Sequence, residues 1–95
     1  SAKVAGEKLW SMPLPQEYQE LNKSNIADIK NIASTRYGGS ITGALFLQFF
    51  IEDSISWAHL DIAGPAYAEK PLNNYTPLGG VGFGIRTLLE YLLEK

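Results

Sequence analysis

Residues 41–52, ITGALFLQFFIE, constrain the fold more than any other part of the chain, because their pattern is apolar with almost no polar face. A glycine turn precedes them and places the hydroxyl of Ser40 at a suitable N-cap position. The apolar run is broken by Thr42, Gly43 and Gln48 and has about half of the roughly 20 residues that a membrane-spanning helix needs. The pattern therefore predicts a buried helix that must be covered on several sides.

Four other segments carry a recognisable pattern. Residues 1–9 predict the end of a helix, and residues 15–22 predict a short helix with Pro15 at its first position. Residues 56–63, SWAHLDIA, are short, aromatic and apolar, which is typical of a strand in the interior of a sheet. Residues 65–80 are rich in proline, asparagine and glycine and predict a loop with little regular structure.

The last segment, residues 82–95, predicts an amphipathic helix. Its apolar residues recur at helical spacings, at Ile85, Leu88, Leu89, Leu92 and Leu93. We expect this stripe to face the core and Arg86, Glu90 and Glu94 to face water. Helix, strand and helix in that order indicate an α/β arrangement.

The composition narrows the class of protein. The length of 95 residues suits one compact domain, and 45% hydrophobic with 19% charged residues argues against a disordered chain. A formal net charge of -2, without a block of like charge, argues against binding to nucleic acid or to a membrane surface. The absence of cysteine excludes a disulfide scaffold, a thiolate zinc site and a cysteine nucleophile. Residues 1–8 contain no apolar leader, so we expect no secretory signal.

Two features invite a chemical interpretation. The glycine cluster at residues 79–84 opens a helix, where backbone amides can bind an anion, but the spacing of a phosphate-binding loop is missing. We favour a structural role for these glycines. The single histidine, His59, and Asp61 lie two residues apart, and two ligands are too few for a metal site. We favour a structural His59 and leave a functional Asp61 open.

Four blocks of the sequence together resemble the C-terminal part of the leucyl (cytosol) aminopeptidases, peptidase family M17. They are residues 6–14 (GEKLWSMPL), 24–32 (SNIADIKNI), 57–64 (WAHLDIAG) and 82–88 (GFGIRTL). The resemblance covers essentially the whole chain. It implies an α/β fold with a partial mixed sheet flanked by helices, and a single segment, residues 1–95, of a zinc-exopeptidase-like catalytic domain.

The resemblance also implies an activity. The family consists of cytoplasmic, usually hexameric exopeptidases that use two divalent metal ions, zinc or manganese, to release N-terminal residues from peptides. Its metal ligands include an Asn-Thr-Asp-Ala-Glu-Gly-Arg segment, which is absent from this chain. We therefore expect no catalytic residue and no metal ligand here, and an inactive chain when it is alone.

Substrate contacts can be carried over from the family at three positions. Ala63 and Ala66 match the positions that line the pocket for the N-terminal side chain, and Ile32 matches one on the leaving side. Ala66 stands where other members have Met, which implies a roomier pocket. Without the resemblance, ordinary core packing would be the expectation for Ile32.

Three functions remain open at this point. The first is the C-terminal segment of a leucyl aminopeptidase, which supplies scaffold and part of the pocket for a peptide substrate. The second is a non-enzymatic peptide-binding or assembly module of the same fold, and the third is a small anion-binding protein. For the first we expect a cytoplasmic homo-oligomer, hexameric when intact, and a dimer or larger assembly of the isolated chain, with no nucleic-acid or membrane partner.

Overall fold

The computed structural model describes residues 1–94, which divide into two compact units. The terminal unit combines residues 1–10 with the described residues from Ile62 onward, and the middle unit is Ser11–Asp61. In chain order the elements are helix α1 (Ala2–Ala5), a 3-10 helix (Gln16–Asn22), helix α2 (Gly39–Gln48), strand β1 (Tyr67–Ala68), strand β2 (Gly79–Gly80) and helix α3 (Ile85–Leu93). The expectation of a single segment stays a prediction.

Helix α1 is shorter than the helix predicted for residues 1–9. It ends at Ala5, and Gly6 follows in the left-handed conformation with φ of 72°. The amide of Gly6 donates to the carbonyl of Lys3, and the amide of Glu7 donates to the carbonyl of Ala2. Because a side chain at Gly6 would be strained in this conformation, the glycine ends the helix at this point.

Helix α2 and the 3-10 helix pack against each other in the middle unit. The side-chain amide of Asn22 donates to the backbone carbonyl of Thr42 over 3.1 Å, and the side-chain amide of Gln19 donates to that of Leu45 over 3.0 Å. Leu45 and Asn22 are the largest fully buried side chains among the described residues. The contact is therefore a small apolar centre joined by side-chain bonds to the helix backbone.

The ends of α2 differ from the prediction. The helix stops at Gln48, four residues before the predicted end, and Gly38 with φ of 62° takes the N-cap position expected for Ser40. No side chain caps the helix start. Gly38 has a left-handed backbone and turns the chain into the helix before Ser40 is reached. Ser40 therefore lies inside the first turn instead of at the N-cap.

The predicted strand at residues 56–63 is wrong. These residues have no regular secondary structure, and the rings of Trp57 and His59 stack with centroids 6.2 Å apart. A strand needs a hydrogen-bonded neighbour, and the sheet of the described residues is a two-stranded antiparallel pair of β1 and β2. This pair lies inside the predicted loop at residues 65–80 and stands in place of the partial mixed sheet. Helices with a sheet agree with the α/β class.

Helix α3 packs on α1 with the face opposite to its apolar stripe, which was the face predicted to be buried. The buried residue of α3 is Thr87, and the helix packs on α1. Glu94 is exposed, as expected, and accepts a hydrogen bond of 2.9 Å from the hydroxyl of Ser1. The apolar stripe of residues 85, 88, 89, 92 and 93 is between 51% and 71% exposed. The direction expected for the stripe is therefore wrong within these residues, because Ser1 and Glu7 bond to the polar side of the helix, at Glu94 and Thr87.

The apolar core of the described residues is small. Buried hydrophobic residues are Ala44, Leu45 and Ala68. Among residues 1–94, no helix is long and apolar enough to cross a membrane.

Candidate functional site

Two of the three predicted pocket residues lie in one turn of the terminal unit. Residues 63–66 form the turn, and the amide of Ala66 donates to the carbonyl of Ile62 over 3.0 Å. Ala63 is exposed and Ala66 is half-buried. We call residues 62–66 the pocket turn. Its two alanines carry small side chains.

The pocket turn is tied to the short sheet that follows it. The carbonyl of Ala66 accepts a hydrogen bond of 3.0 Å from the amide of Val81. Beyond it, Tyr67 pairs with Gly80 and Ala68 pairs with Gly79. The two backbone bonds of Ala66 therefore fix it between the turn and the end of β2.

Ile32, the third predicted residue, belongs to the middle unit and is 77% exposed. It lies near the centre of a bend that two backbone bonds hold against the 3-10 helix. The amide of Lys30 donates to the carbonyl of Asn22, and the amide of Ser34 donates to the carbonyl of Leu21, over 2.7 and 2.8 Å. Ile32 therefore lies exposed on a bend that backbone hydrogen bonds hold in place. Among the described residues, its side chain is not part of a packed core.

Glu7 is the most elaborately bonded side chain of the terminal unit, and the sequence analysis did not single it out. Its carboxylate, only 2% exposed, accepts bonds of 3.0 Å from the amides of Gly84 and Thr87 and one of 2.5 Å from the Thr87 hydroxyl. The Arg86 guanidinium lies 3.6 Å away. The Thr87 hydroxyl, the two amides and Arg86 together hold the pKa of the Glu7 carboxyl below its ordinary value, against the opposing effect of burial. No sequence signal could have found a partnership across 77 residues.

Glu7 also answers the anion-binding interpretation of the glycine cluster. The amides at the start of α3 are the donors that a bound phosphate would use. Here Gly84 and Thr87 donate theirs to the Glu7 carboxylate, so the negative charge at this helix end belongs to the chain itself. This arrangement supports the structural role predicted for the glycines.

The described residues do not fit a metal centre. Within residues 1–94, no three His, Cys, Asp or Glu side chains come together in a group able to hold an ion. His59 is half-buried beside Trp57, and Asp61 is exposed.

An open cleft of about 460 Å³ lies in the middle unit. Its walls include Gln16, Gln48 and Trp57, and the two glutamines share a hydrogen bond of 3.2 Å. None of the predicted pocket residues lines it.

Comparison with known proteins shows the family to which this chain belongs. The model of the cytosol aminopeptidase family, catalytic domain, matches residues 1–89. A probable cytosol aminopeptidase of Prochlorococcus marinus is 53% identical over 95 residues, which are 100% of this chain and 19% of that protein. One from Rippkaea orientalis is 56% identical over 94 residues, 99% of this chain and 18% of that protein. The chain thus spans less than a fifth of the length of these relatives.

Solved structures give the same result. A mutant of tomato leucine aminopeptidase superposes with a TM-score of 0.83 at 40% identity, covering 99% of this chain and 17% of that one. The bottromycin maturation enzyme BotP in complex with Mn superposes with a TM-score of 0.88 at 43% identity, covering 96% of this chain and 20% of that one. These superpositions confirm the predicted α/β class.

Proposed function

Because this chain belongs to the cytosol aminopeptidase family, we propose that it works as the C-terminal segment of a catalytic domain that releases N-terminal residues from peptides. The observation that carries the proposal is the match of residues 1–89 to the family's catalytic domain. In this assignment the segment contributes scaffold and part of the substrate pocket. The chain alone is inactive.

The pocket turn holds the side chain of the substrate's N-terminal residue, with Ala63 and Ala66 as its lining. Both alanines lie in one turn whose backbone is fixed by Ile62 and Val81, so a substrate side chain meets a rigid, roomy wall. Ile32 contacts the leaving part of the peptide. Its exposure supports this role, because an isoleucine displayed on a braced bend is open to contact with a ligand.

Two divalent ions, zinc or manganese, belong to the intact enzyme in this proposal. The manganese in the BotP complex supports a metal in a related enzyme. The residues described here lack a group of ligands for them, so this chain's part in the reaction is to bind and orient the peptide. Binding energy at the pocket turn helps to place the scissile bond at a centre built by other residues.

The intact enzyme is a cytoplasmic homo-oligomer, a hexamer, in the same proposal, with peptides as substrates and no nucleic-acid or membrane partner. Support for the cytoplasm comes from the names of the relatives, which are cytosol aminopeptidases. The isolated chain forms a dimer or a larger assembly. Its exposed apolar stripe on α3 supports that association.

The pocket assignment is tested by enlarging Ala66 to Val in the full-length protein that contains this chain. A larger side chain reduces the space for leucine more than for alanine, so the ratio of kcat/KM for leucine over alanine anilide should fall about tenfold. Ala58→Val, an exposed alanine outside the pocket turn, is the matched control. An unchanged ratio in Ala66→Val would contradict the pocket role.

The alternative, a non-enzymatic peptide-binding module, makes a different prediction. It requires the full-length protein to bind peptides without turnover in the presence of zinc or manganese. Hydrolysis of leucine anilide by the full-length protein therefore excludes it.

A further inference from the structure

We propose that Glu7 is a positioning residue for the substrate pocket: it anchors the glycine turn at residues 82–84 and, through Val81, holds the backbone of Ala66. This inference rests on the proposed function, since it takes Ala66 as part of the pocket. It adds to it a residue that lies far from the pocket alanines in sequence.

The first step of the argument is the completeness of the Glu7 contacts. One carboxylate oxygen accepts from the Gly84 amide, and the other accepts from both the amide and the hydroxyl of Thr87. The side chain is nearly inaccessible to water. A charged, buried carboxylate with three donors is a rigid attachment, because losing any one donor leaves part of the charge poorly solvated.

The second step is the nature of the segment that Glu7 holds. Gly82 and Gly84 both have positive φ, of 68° and 91°, and the segment between β2 and α3 has no ladder of its own. Glycines in such a segment leave the unfolded backbone many alternatives. The segment is held at its ends by the Gly84 bond to Glu7 and the Val81 bond to Ala66, and within it by a bond of 3.3 Å from the Ile85 amide to the Gly82 carbonyl.

The third step connects that segment to the pocket. Val81 donates to the carbonyl of Ala66, whose own amide closes the pocket turn on Ile62. Only Gly82 and Phe83 lie between Val81 and Gly84. A shift of the glycine turn is therefore transmitted to Ala66 by backbone bonds alone, without a change in any pocket side chain.

A substitution of Glu7 by Gln tests this chain of contacts. Gln keeps the size of the side chain but turns one acceptor oxygen into an NH2 group, which then faces an N–H donor. Either the Gly84 bond or the bond from the Thr87 amide is lost, which weakens the anchor of the glycine turn. Bulky substrate side chains, which need the full depth of the pocket, should be affected more than small ones.

The experiment measures kcat and KM of the full-length protein on leucine and alanine anilides. For Glu7→Gln we expect KM for leucine anilide to rise about fivefold, with KM for alanine anilide and both kcat values changed less than about twofold. Glu69→Gln, an exposed carboxylate beside β1, is the control and should match the parent protein. Thr87→Val, which removes one donor and keeps the shape, should change KM for leucine in the same direction by a smaller factor.

The outcomes separate the two proposals. If Ala66→Val changes selectivity but Glu7→Gln behaves like Glu69→Gln, the pocket stands and the positioning role is overturned. If Glu7→Gln lowers kcat equally for both substrates, the role is general stabilisation and the proposal is again overturned. If Ala66→Val leaves selectivity unchanged, both proposals fail. Should Glu7→Gln fail to fold, Thr87→Val decides by the same KM criterion.

Discussion

Replacing Leu45 by Ala should remove the largest apolar contribution to the middle unit. Leu45 is 0% exposed and lies where α2 meets the 3-10 helix. A buried Leu→Ala change costs about 2–5 kcal/mol, from lost burial and from the cavity left behind. We expect a value of about 3 kcal/mol, because hydrogen bonds from Gln19 and Asn22 hold the two helices at a fixed separation and limit collapse.

The control is Leu47→Ala on the same helix. Leu47 is 42% exposed, so the same three carbon atoms are removed with less burial lost and no closed cavity. We expect a cost of about 1 kcal/mol at this position. The comparison isolates burial, since helix propensity changes equally in both variants.

Thermal unfolding followed by circular dichroism at one fixed protein concentration measures the difference. Near the midpoint, each kcal/mol shifts Tm by about 4–8 °C in a domain of this size, so Leu45→Ala should lower Tm by about 12 °C or more. Leu47→Ala should lower it by roughly a third of that amount. Equal shifts in the two variants would refute the assignment of Leu45 to a packed centre.

Other predictions concern the terminal unit. The pKa of the Glu7 carboxyl is lower in the folded state than in the unfolded state, so its contribution to stability is present above the unfolded-state pKa and is lost as pH falls through the folded-state pKa. The stability of Glu7→Gln, measured against pH, should lack this loss. A pH profile of stability equal to that of the parent protein would contradict the role of Glu7. Gly84→Ala, at φ of 91°, should lower the free energy of unfolding by about 1–2 kcal/mol, whereas Gly39→Ala in α2 should leave it unchanged or raise it. Equal urea midpoints for the two variants would contradict this prediction. Light scattering of the isolated chain at micromolar concentration should show a dimer or a larger species, and Leu92→Lys on the exposed stripe should weaken this self-association. If the parent chain stays monomeric at every concentration, the chain closes its own core and this prediction is wrong.

Local patterns in the sequence were sufficient where the interaction is local. Helix α2 was predicted from the apolar run, and Gly38 then decided its first residue through a left-handed backbone. Four sequence blocks were sufficient for the family, which residues 1–89 confirm. That Ala63 and Ala66 line a substrate pocket stays a prediction.

Long-range contacts were beyond the reach of the sequence. The strand at residues 56–63 failed because strand formation depends on a partner, and the pattern carries no information about whether one is present. The direction of α3 failed because Glu7, 77 residues before Gly84, binds the start of the helix. Helical periodicity predicts an apolar face, but the neighbours that are present decide whether that face is covered.

Hydrolysis of leucine anilide by the isolated chain and by the full-length protein, each with added zinc or manganese, tests the central claim most directly. The claim is that these residues supply scaffold and pocket to a metal centre built elsewhere in the protein. It predicts turnover by the full-length protein, inhibited by a chelator, and none by the isolated chain, because two-metal catalysis needs a fixed set of ligands. Chelator-sensitive turnover that copurifies with the isolated chain would contradict it.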